Sequence, residues 1–285
     1  MAEIELPCGV VYWMEKGHGA PVVFVHGIPT DSRAWNGQID AVAAEFRAVV
    51  FSRRWAFPNR GRGAVSDSTV EANADDLAEL VLRLQLPPAH LVGHSYGGFI
   101  AAYLATRRPE LIRSLTLVEP AIASLLLRDP KSRLQALGLL LRSPATAVAA
   151  SRYLRDSHGP AMRALAAGDE AAAVHLNVDG VEGRVGAFQT FSPETRQMMI
   201  ENGRTVRETD LPYPPLSSVD LRRIPVPTRV ISGGTSALWL RSIARSTARS
   251  IPGAELRTIP GAGHYPHVQQ TSAFNDLLLE FLRAH

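Results

Sequence analysis

The sequence predicts an α/β fold in which a parallel sheet is connected by helices. Short, continuous apolar runs such as Val22–Val25 and Leu115–Val118 are typical of strands that are buried on both faces of a parallel sheet. These runs alternate with helical patterns, and this alternation indicates right-handed crossover connections. A length of 285 residues with 46% hydrophobic and 20% charged residues suits one large domain, or one domain that carries an insertion.

Eight segments are predicted as strands. The first two are short and open the chain, and the other six continue the sheet: 4–6, 10–16, 22–25, 48–51, 89–92, 115–118, 226–231 and 254–259. Helices are predicted between them, at 35–44, from Ser68 or Thr69 to Leu84, at 99–106 and at 271–283.

The segment from Ile122 to Arg223 breaks this order. It is rich in alanine, leucine and arginine, its pattern is helical, and it contains no convincing strand. We therefore predict a helical cap over residues 122–223, inserted after the sixth strand into a core formed by residues 1–121 and 224–285. The proline-rich segment Leu211–Pro215 is the predicted return to the core.

Residues Gly93-His94-Ser95-Tyr96-Gly97 form a Gly-x-Ser-x-Gly motif between a predicted strand and a predicted helix. A serine on such a sharp turn presents its hydroxyl above the edge of the sheet, where a histidine can reach it. The flanking glycines fit the tight turn because a Cβ at either position would clash.

This motif and three further segments resemble those of the α/β-hydrolase family. The other segments are 26–29 (His-Gly-Ile-Pro), 117–120 (Leu-Val-Glu-Pro) and 261–264 (Gly-Ala-Gly-His). The resemblance covers nearly the whole chain and implies a mostly parallel eight-stranded sheet with a cap over its C-terminal edge. It also implies that Ser95 is the nucleophile and that His264, which follows it in the chain, is the base.

Two other histidines are alternatives to His264. His267 is its nearest rival, and His94 adjoins Ser95, where packing behind the turn is the favoured interpretation. The resemblance places the oxyanion hole at the backbone N–H groups of Ile28 and Tyr96.

Most members of the family that this chain resembles carry an aspartate after the seventh strand, and this chain has Ser236 there. A neutral serine cannot stabilise an imidazolium by charge, so replacing Ser236 is expected to change little. Glu119 follows the sixth strand, next to the strand of Ser95 at the same sheet edge, and is the predicted acid. A structural or pocket role for Glu119 is the alternative.

Candidate substrate contacts are His26, Gly27, Tyr96 and Trp239, although His26 also suits a role in shaping its loop. Further candidates are Ile28 and two cap residues, Phe188 and Met198. Arg53 and Arg54 leave two interpretations open, which are binding a substrate carboxylate and bracing neighbouring loops.

Composition and missing motifs exclude several function classes. The formal net charge is +3 without a dense basic block, which disfavours nucleic-acid binding. Cys8 is the single cysteine, no zinc motif or dinucleotide-binding glycine motif is present, and no metal or cofactor is expected. No secretory signal or membrane span is recognisable, so the expected location is cytoplasmic. A serine in place of an aspartate nucleophile disfavours haloalkane dehalogenase and epoxide hydrolase chemistry.

The sequence thus predicts a cofactor-independent serine hydrolase that cleaves an ester or lactone of a small, partly hydrophobic substrate. Carbon–carbon bond hydrolases, amidases and perhydrolases share the same apparatus, and the fold does not separate them. A hydrolase fold retained as a non-catalytic binding protein is a third hypothesis, and the sequence predicts no oligomeric state.

Overall fold

The computed structural model describes residues 2–59, 63–86, 88–129 and 132–285. One eight-stranded sheet runs through the molecule, with the strands in the order β1-β2-β4-β3-β5-β6-β7-β8. The pairs β1–β2 and β2–β4 are antiparallel, and all the other neighbouring pairs are parallel. The strands are β1 Ala2–Leu6, β2 Gly9–Lys16, β3 Pro21–Val25, β4 Arg47–Phe51, β5 Ala89–His94, β6 Ile112–Val118, β7 Thr228–Gly233 and β8 Glu255–Ile259.

Four helices lie close to the predicted positions: α1 Asn36–Ala43, α2 Val70–Arg83, α3 Tyr96–Arg107 and α12 Thr271–Ala284. Two further helices, α10 Leu238–Ser250 and α11 Pro266–Gln269, are not among the predicted ones. Thr69 is the N-cap of α2, and its side chain accepts a hydrogen bond from the Ala72 N–H. Helix α3 begins at Tyr96 rather than at the predicted Phe99, so the helix starts directly after Ser95.

Between β6 and β7, the described part of the chain contains helices and no strand. Its helices are α4 Arg133–Arg142, α5 Pro144–Tyr153, α6 Gly159–Ala166, α7 Glu170–Glu182, α8 Pro193–Glu201 and α9 Ser218–Leu221. A π-helical turn, Leu154–His158, joins α5 to α6, and a 3₁₀ segment, Gly203–Asp210, follows α8. We call residues 122–223 the cap, and their separation from the core as a domain stays a prediction.

Alternate side chains of the strands fill two apolar layers. Val23 and Val25 of β3 pack in the layer that contains α2 and α3, whereas Val22 and Phe24 pack in the layer that contains Trp35 and α12. Because both faces of the sheet are covered at β3, this strand is buried and apolar along its whole length, as the sequence predicts. The carboxyl ends of β3, β5, β6 and β7 therefore meet at one covered edge.

No helix within the described ranges is long and apolar enough to cross a membrane.

Candidate active site

Ser95 occupies the turn between β5 and α3 with φ 53° and ψ −115°. A positive φ is unusual for a residue with a Cβ and costs about 1–3 kcal/mol, so the surrounding contacts must hold it. The Ser95 N–H donates to the carbonyl oxygen of Val118 at 2.9 Å, and its own carbonyl accepts from the N–H groups of Phe99 and Ala121. The serine hydroxyl is thereby fixed above the sheet edge.

Two glycines permit the close packing around this turn. A Cβ on Gly97 would lie 2.5 Å from the carbonyl oxygen of His26, so only glycine lets α3 approach the end of β3. A Cβ on Gly27 would lie 2.9 Å from both Nδ1 of His94 and Cβ of Ser95. Gly27 is thus required for the fold of the turn itself.

His264 lies in the loop between β8 and α11 and joins Ser95 to Glu119. Its Nε2 is 2.9 Å from Oγ of Ser95, and its Nδ1 is 3.1 Å from Oε2 of Glu119. The side chains of His264 and Glu119 are almost fully withdrawn from solvent. Nε2 of His94 contacts the carbonyl oxygen of His264 at 2.8 Å, which holds the backbone of that loop.

His267 does not take the place of His264. Its ring packs between Trp35 and His94, with centroid distances of 4.4 and 4.5 Å. Neither of its nitrogens has a hydrogen-bond partner among the residues that the structure describes.

The Glu119 carboxylate accepts hydrogen bonds on both oxygens. Oε1 accepts from Oγ of Ser232 at 2.6 Å and from the Gly233 N–H at 2.8 Å, and Oε2 accepts from Oγ of Ser236 at 2.5 Å. A carboxylate with this many donors is held in one orientation. Ser236 and His264 therefore both contact Oε2 of Glu119. The sequence analysis, which expects that replacing Ser236 changes little, does not predict this contact.

Glu182, at the end of cap helix α7, also contacts the His264 loop, and sequence analysis missed it. Its Oε1 accepts from the His264 N–H at 2.8 Å and from Nε2 of Gln269 at 3.2 Å. Burial raises the pKa of the Glu182 carboxyl above its ordinary value. An acidic residue at the end of a helix gives no sequence signal for this contact, since the partner lies 82 residues away.

A cavity of about 480 Å³ opens beside Ser95 under the cap. Its lining is mainly apolar and includes Ile28, Phe99, Val181, Leu211, Trp239 and Leu240. Ile28 and Tyr96 both line it, and neither backbone N–H donates a hydrogen bond to any residue within the described ranges. These two N–H groups beside the Ser95 hydroxyl are therefore the candidate donors to an oxyanion.

Four of the candidate substrate contacts, His26, Gly27, Phe188 and Met198, are not among the residues that line this cavity. His26 is fully buried: its Nε2 accepts the Arg53 N–H at 2.9 Å, and its Nδ1 faces the Gly27 carbonyl. Gly27 packs against the turn, and Phe188 and Met198 are buried within the cap. Trp239 lines the cavity, and its contact with substrate stays a prediction.

Arg53 and Arg54 brace loops. Nη1 of Arg53 lies 2.8 Å from Oε2 of Glu208 in the cap, and both side chains are almost completely buried. Nε of Arg54 lies 2.7 Å from Oδ2 of Asp76 on α2. Both guanidinium groups are thus occupied by protein carboxylates.

No set of three or more His, Cys, Asp or Glu side chains suited to a metal ion occurs within residues 2–59, 63–86, 88–129 and 132–285.

Residues 22–277 match the sequence profile of the alpha/beta hydrolase family. The chain belongs to this family. The structure agrees, since the sheet is eight-stranded and mostly parallel and the Gly-x-Ser-x-Gly turn joins β5 to α3. The predicted family and fold class are therefore confirmed.

Relatives of this alpha/beta hydrolase have several activities. It is 27% identical over 279 residues to a dihydrolipoyllysine-residue acetyltransferase component of an acetoin cleaving system from Pseudomonas putida. That alignment covers 96% of this chain and 66% of the relative. It is 28% identical to the non-heme chloroperoxidase CPO-A1 of Kitasatospora aureofaciens, with 95% of each chain covered.

Among solved structures, a thermophilic esterase from Thermogutta terrifontis is similar, with a TM-score of 0.68 and 25% identity. That comparison covers 99% of this chain and 98% of the esterase. Family membership and these relatives support a hydrolase of this fold.

Proposed function

We propose that this alpha/beta hydrolase is a serine hydrolase that cleaves an ester or lactone of a small, partly hydrophobic substrate. The observation that carries the proposal is the hydrogen-bonded line from Ser95 through His264 to Glu119 at the wall of a mainly apolar cavity. A serine hydroxyl is a weak nucleophile until a base takes its proton, and this line supplies that base and its orienting acid.

In the first step, Oγ of Ser95 attacks the carbonyl carbon while its proton moves to Nε2 of His264. The carbonyl oxygen becomes an oxyanion that the N–H groups of Ile28 and Tyr96 stabilise. Glu119 stabilises the imidazolium by charge and keeps its Nδ1–H oriented. The carbon–oxygen bond to the leaving alcohol then breaks, and that alcohol takes the proton from His264.

In the second step, water attacks the acyl-enzyme carbonyl and gives its proton to Nε2 of His264. The bond to Oγ of Ser95 breaks, the proton returns to that oxygen, and a carboxylic acid leaves. For a lactone, acid and alcohol are parts of one product.

The esterase and the family relatives support this reaction class, and the cavity supports the substrate class. A cavity of about 480 Å³ falls within the range of roughly 300–1,000 Å³ that is usual for small-molecule sites. A largely apolar wall favours small-molecule substrates with a hydrocarbon part over polymers.

Perhydrolysis is the second candidate, and the similarity to a non-heme chloroperoxidase favours it. Hydrogen peroxide in place of water would release the acyl group from Ser95 as a peracid, and a peracid can oxidise halide. Halide oxidation by the wild-type enzyme with acetate and hydrogen peroxide, absent in Ser95→Ala, would support this activity.

The deciding experiment is hydrolysis of a chain-length series of p-nitrophenyl esters and several lactones by wild type and Ser95→Ala. Wild type should hydrolyse at least one of them, and Ser95→Ala should be inactive. Labelling by a fluorophosphonate, read by mass spectrometry at Ser95, is the companion measurement. A well-folded wild type that neither turns over these substrates nor becomes labelled would favour a non-catalytic binding protein.

A further inference from the structure

Asn177 of cap helix α7 lines the cavity beside Ser95, and only 3% of the residue is exposed. Within the part of the chain that the structure describes, its carboxamide has no hydrogen-bond partner. A buried carboxamide offers two donors and an oxygen acceptor, and leaving them unpaired is costly. Asn177 therefore presents unused hydrogen-bonding capacity to the contents of the cavity.

Neighbouring polar residues of the cavity are either engaged or less deeply buried. The Glu208 carboxylate bonds to Arg53 and Ser68, and the Tyr96 hydroxyl donates to the Ser68 carbonyl. Tyr153 is only partly withdrawn from solvent, and its ring packs against Trp239 with a centroid distance of 4.6 Å. Nε1 of Trp239 is also buried and without a partner within the described ranges, but it offers one donor, whereas the Asn177 carboxamide offers two donors and an acceptor.

The rest of this helix face is apolar. Asn177 and Val181 are four residues apart, so they lie on the same side of α7, and both line the cavity. Val174, one turn before Asn177, is fully buried. A packing role alone would favour an aliphatic residue at position 177, as at these two neighbours.

We propose that Asn177 is a specificity-determining residue that forms a hydrogen bond with the part of the substrate under the cap. This inference rests on the proposed function and narrows its substrate class. The substrate is an ester or lactone whose chain carries an ether, hydroxyl, carbonyl or amide group rather than plain hydrocarbon. A wholly apolar chain would displace water from the carboxamide and leave it unpaired, which a site of this kind penalises.

Matched esters test the proposal. p-Nitrophenyl pentanoate is compared with p-nitrophenyl 3-methoxypropanoate and p-nitrophenyl 2-ethoxyacetate, in which one ether oxygen replaces a methylene group. Each kcat/KM is divided by the rate constant for hydroxide-catalysed hydrolysis, which removes differences in intrinsic reactivity. Wild type should prefer at least one ether ester by roughly 2- to 12-fold, the range for one neutral hydrogen bond.

Two variants and a control identify the source of the preference. Asn177→Leu should abolish it, because leucine cannot donate to an ether oxygen. Asn177→Val should also abolish it, because valine has no hydrogen-bonding group in its side chain. Asn36→Leu, at an exposed position on α1, should keep the wild-type ratio. An unchanged ratio in Asn177→Leu would overturn the proposal.

A binding measurement separates this proposal from the proposed reaction. The measurement uses Ser95→Ala, because binding can be measured without turnover. Methyl 3-methoxypropanoate or methyl 2-ethoxyacetate should bind this variant more tightly than methyl pentanoate does. The double variant Ser95→Ala/Asn177→Leu should bind them with equal affinity. If wild type hydrolyses no ester, the proposed function is wrong. The affinities still show whether Asn177 forms a hydrogen bond with a polar group of the ligand. Equal affinities in both variants would reject the Asn177 proposal by itself.

Discussion

At the scale of single residues, Glu119, the proposed acid, is oriented by the backbone turn at the end of its strand. Glu119 has φ 47°, and its N–H donates to the Ile231 carbonyl, so the backbone turns sharply where β6 ends. The turn directs the carboxylate toward His264 and brings Oε2 to Ser236, the position where the sequence interpretation expects an aspartate in related chains. Two positions thus converge on one point beside Nδ1 of His264.

Glu119→Gln should fold normally and lose about 10³–10⁴ in kcat, as removal of a triad acid does elsewhere. Ser236→Ala should lose roughly tenfold, because Oε2 of Glu119 loses a charge-assisted hydrogen bond. The double variant Glu119→Gln/Ser236→Asp should recover part of the activity, since its second substitution brings a carboxylate to the same neighbourhood. The measurement is kcat on the best p-nitrophenyl ester.

Thr235→Ala is the matched control, because the Thr235 hydroxyl donates to the Ala262 carbonyl rather than to Glu119. Full activity in Glu119→Gln would show that the acid assignment is wrong.

At the scale of elements, the cap is tied to the site at two places. Glu182 of helix α7 accepts a hydrogen bond from the backbone N–H of His264. Glu208 of the 3₁₀ segment Gly203–Asp210 forms an ion pair with Arg53. Arg53 also donates to the carbonyl oxygens of His26 and Gly27, so the second tie reaches the loop that carries Ile28. The cap therefore does more than cover the cavity, since it also fixes the loops that form its floor.

Glu182→Gln should lower kcat/KM without lowering stability at neutral pH. Its charge-assisted hydrogen bond to the His264 N–H becomes a neutral one, a loss of about 1 kcal/mol or roughly fivefold in rate. The raised pKa of Glu182 means that its ionisation costs folding free energy, and this cost grows as pH rises from the ordinary value of 4.5 to the raised pKa and is constant above it. Glutamine removes that cost.

The measurements for Glu182→Gln are kcat/KM and urea unfolding at pH 7. A loss of stability that accompanies a loss of activity would indicate a purely structural role for Glu182.

Glu208→Leu should destabilise the fold by about 3–5 kcal/mol, because it leaves the buried Arg53 charge without its partner. Glu79→Leu is the control: Glu79 pairs with Arg83 on α2, both side chains are at least 40% exposed, and such pairs contribute at most about 0.5 kcal/mol. The measurement is the free energy of unfolding in urea. Equal losses of unfolding free energy in the two variants would contradict the proposed contribution of the buried Arg53–Glu208 ion pair.

At the scale of the whole molecule, buried neutral histidines couple the fold to pH. Burial lowers the pKa of His90 to about 4 and of His267 to about 3. Burial also lowers the pKa of His26 and His94 well below the ordinary value of 6.5. Between the lowered pKa and the ordinary value of 6.5, each of these four imidazoles is therefore protonated in the unfolded chain and neutral in the folded chain.

Stability should therefore fall as pH decreases from 6.5 toward 4. The unfolded state binds more protons in this window, and each proton changes the free energy of unfolding by about 1.4 kcal/mol per pH unit. The free energy of unfolding in urea is measured between pH 7 and 5. Its slope with pH should show that the chain takes up at least two protons on unfolding near pH 5. His267→Phe should reduce this uptake by about one, whereas the exposed His18→Gln should not. The same pH slope in His267→Phe and wild type would refute this explanation.

The sequence by itself determined the class of sheet and the order of its strands along the chain, and it named Ser95, His264 and Glu119 as candidates for the site. Continuous apolar runs, glycine spacing around a turn and the end of a strand are local signals, since each follows from neighbouring residues. Only the tertiary structure decided that Ser236 shares the Glu119 carboxylate, that Arg53 pairs with the cap, and that Glu182 and Asn177 reach the site. Those contacts join residues 82 or more positions apart, or line a cavity whose walls come from distant segments. They depend on how the cap packs over the sheet edge, and no periodic pattern of neighbouring residues encodes that packing.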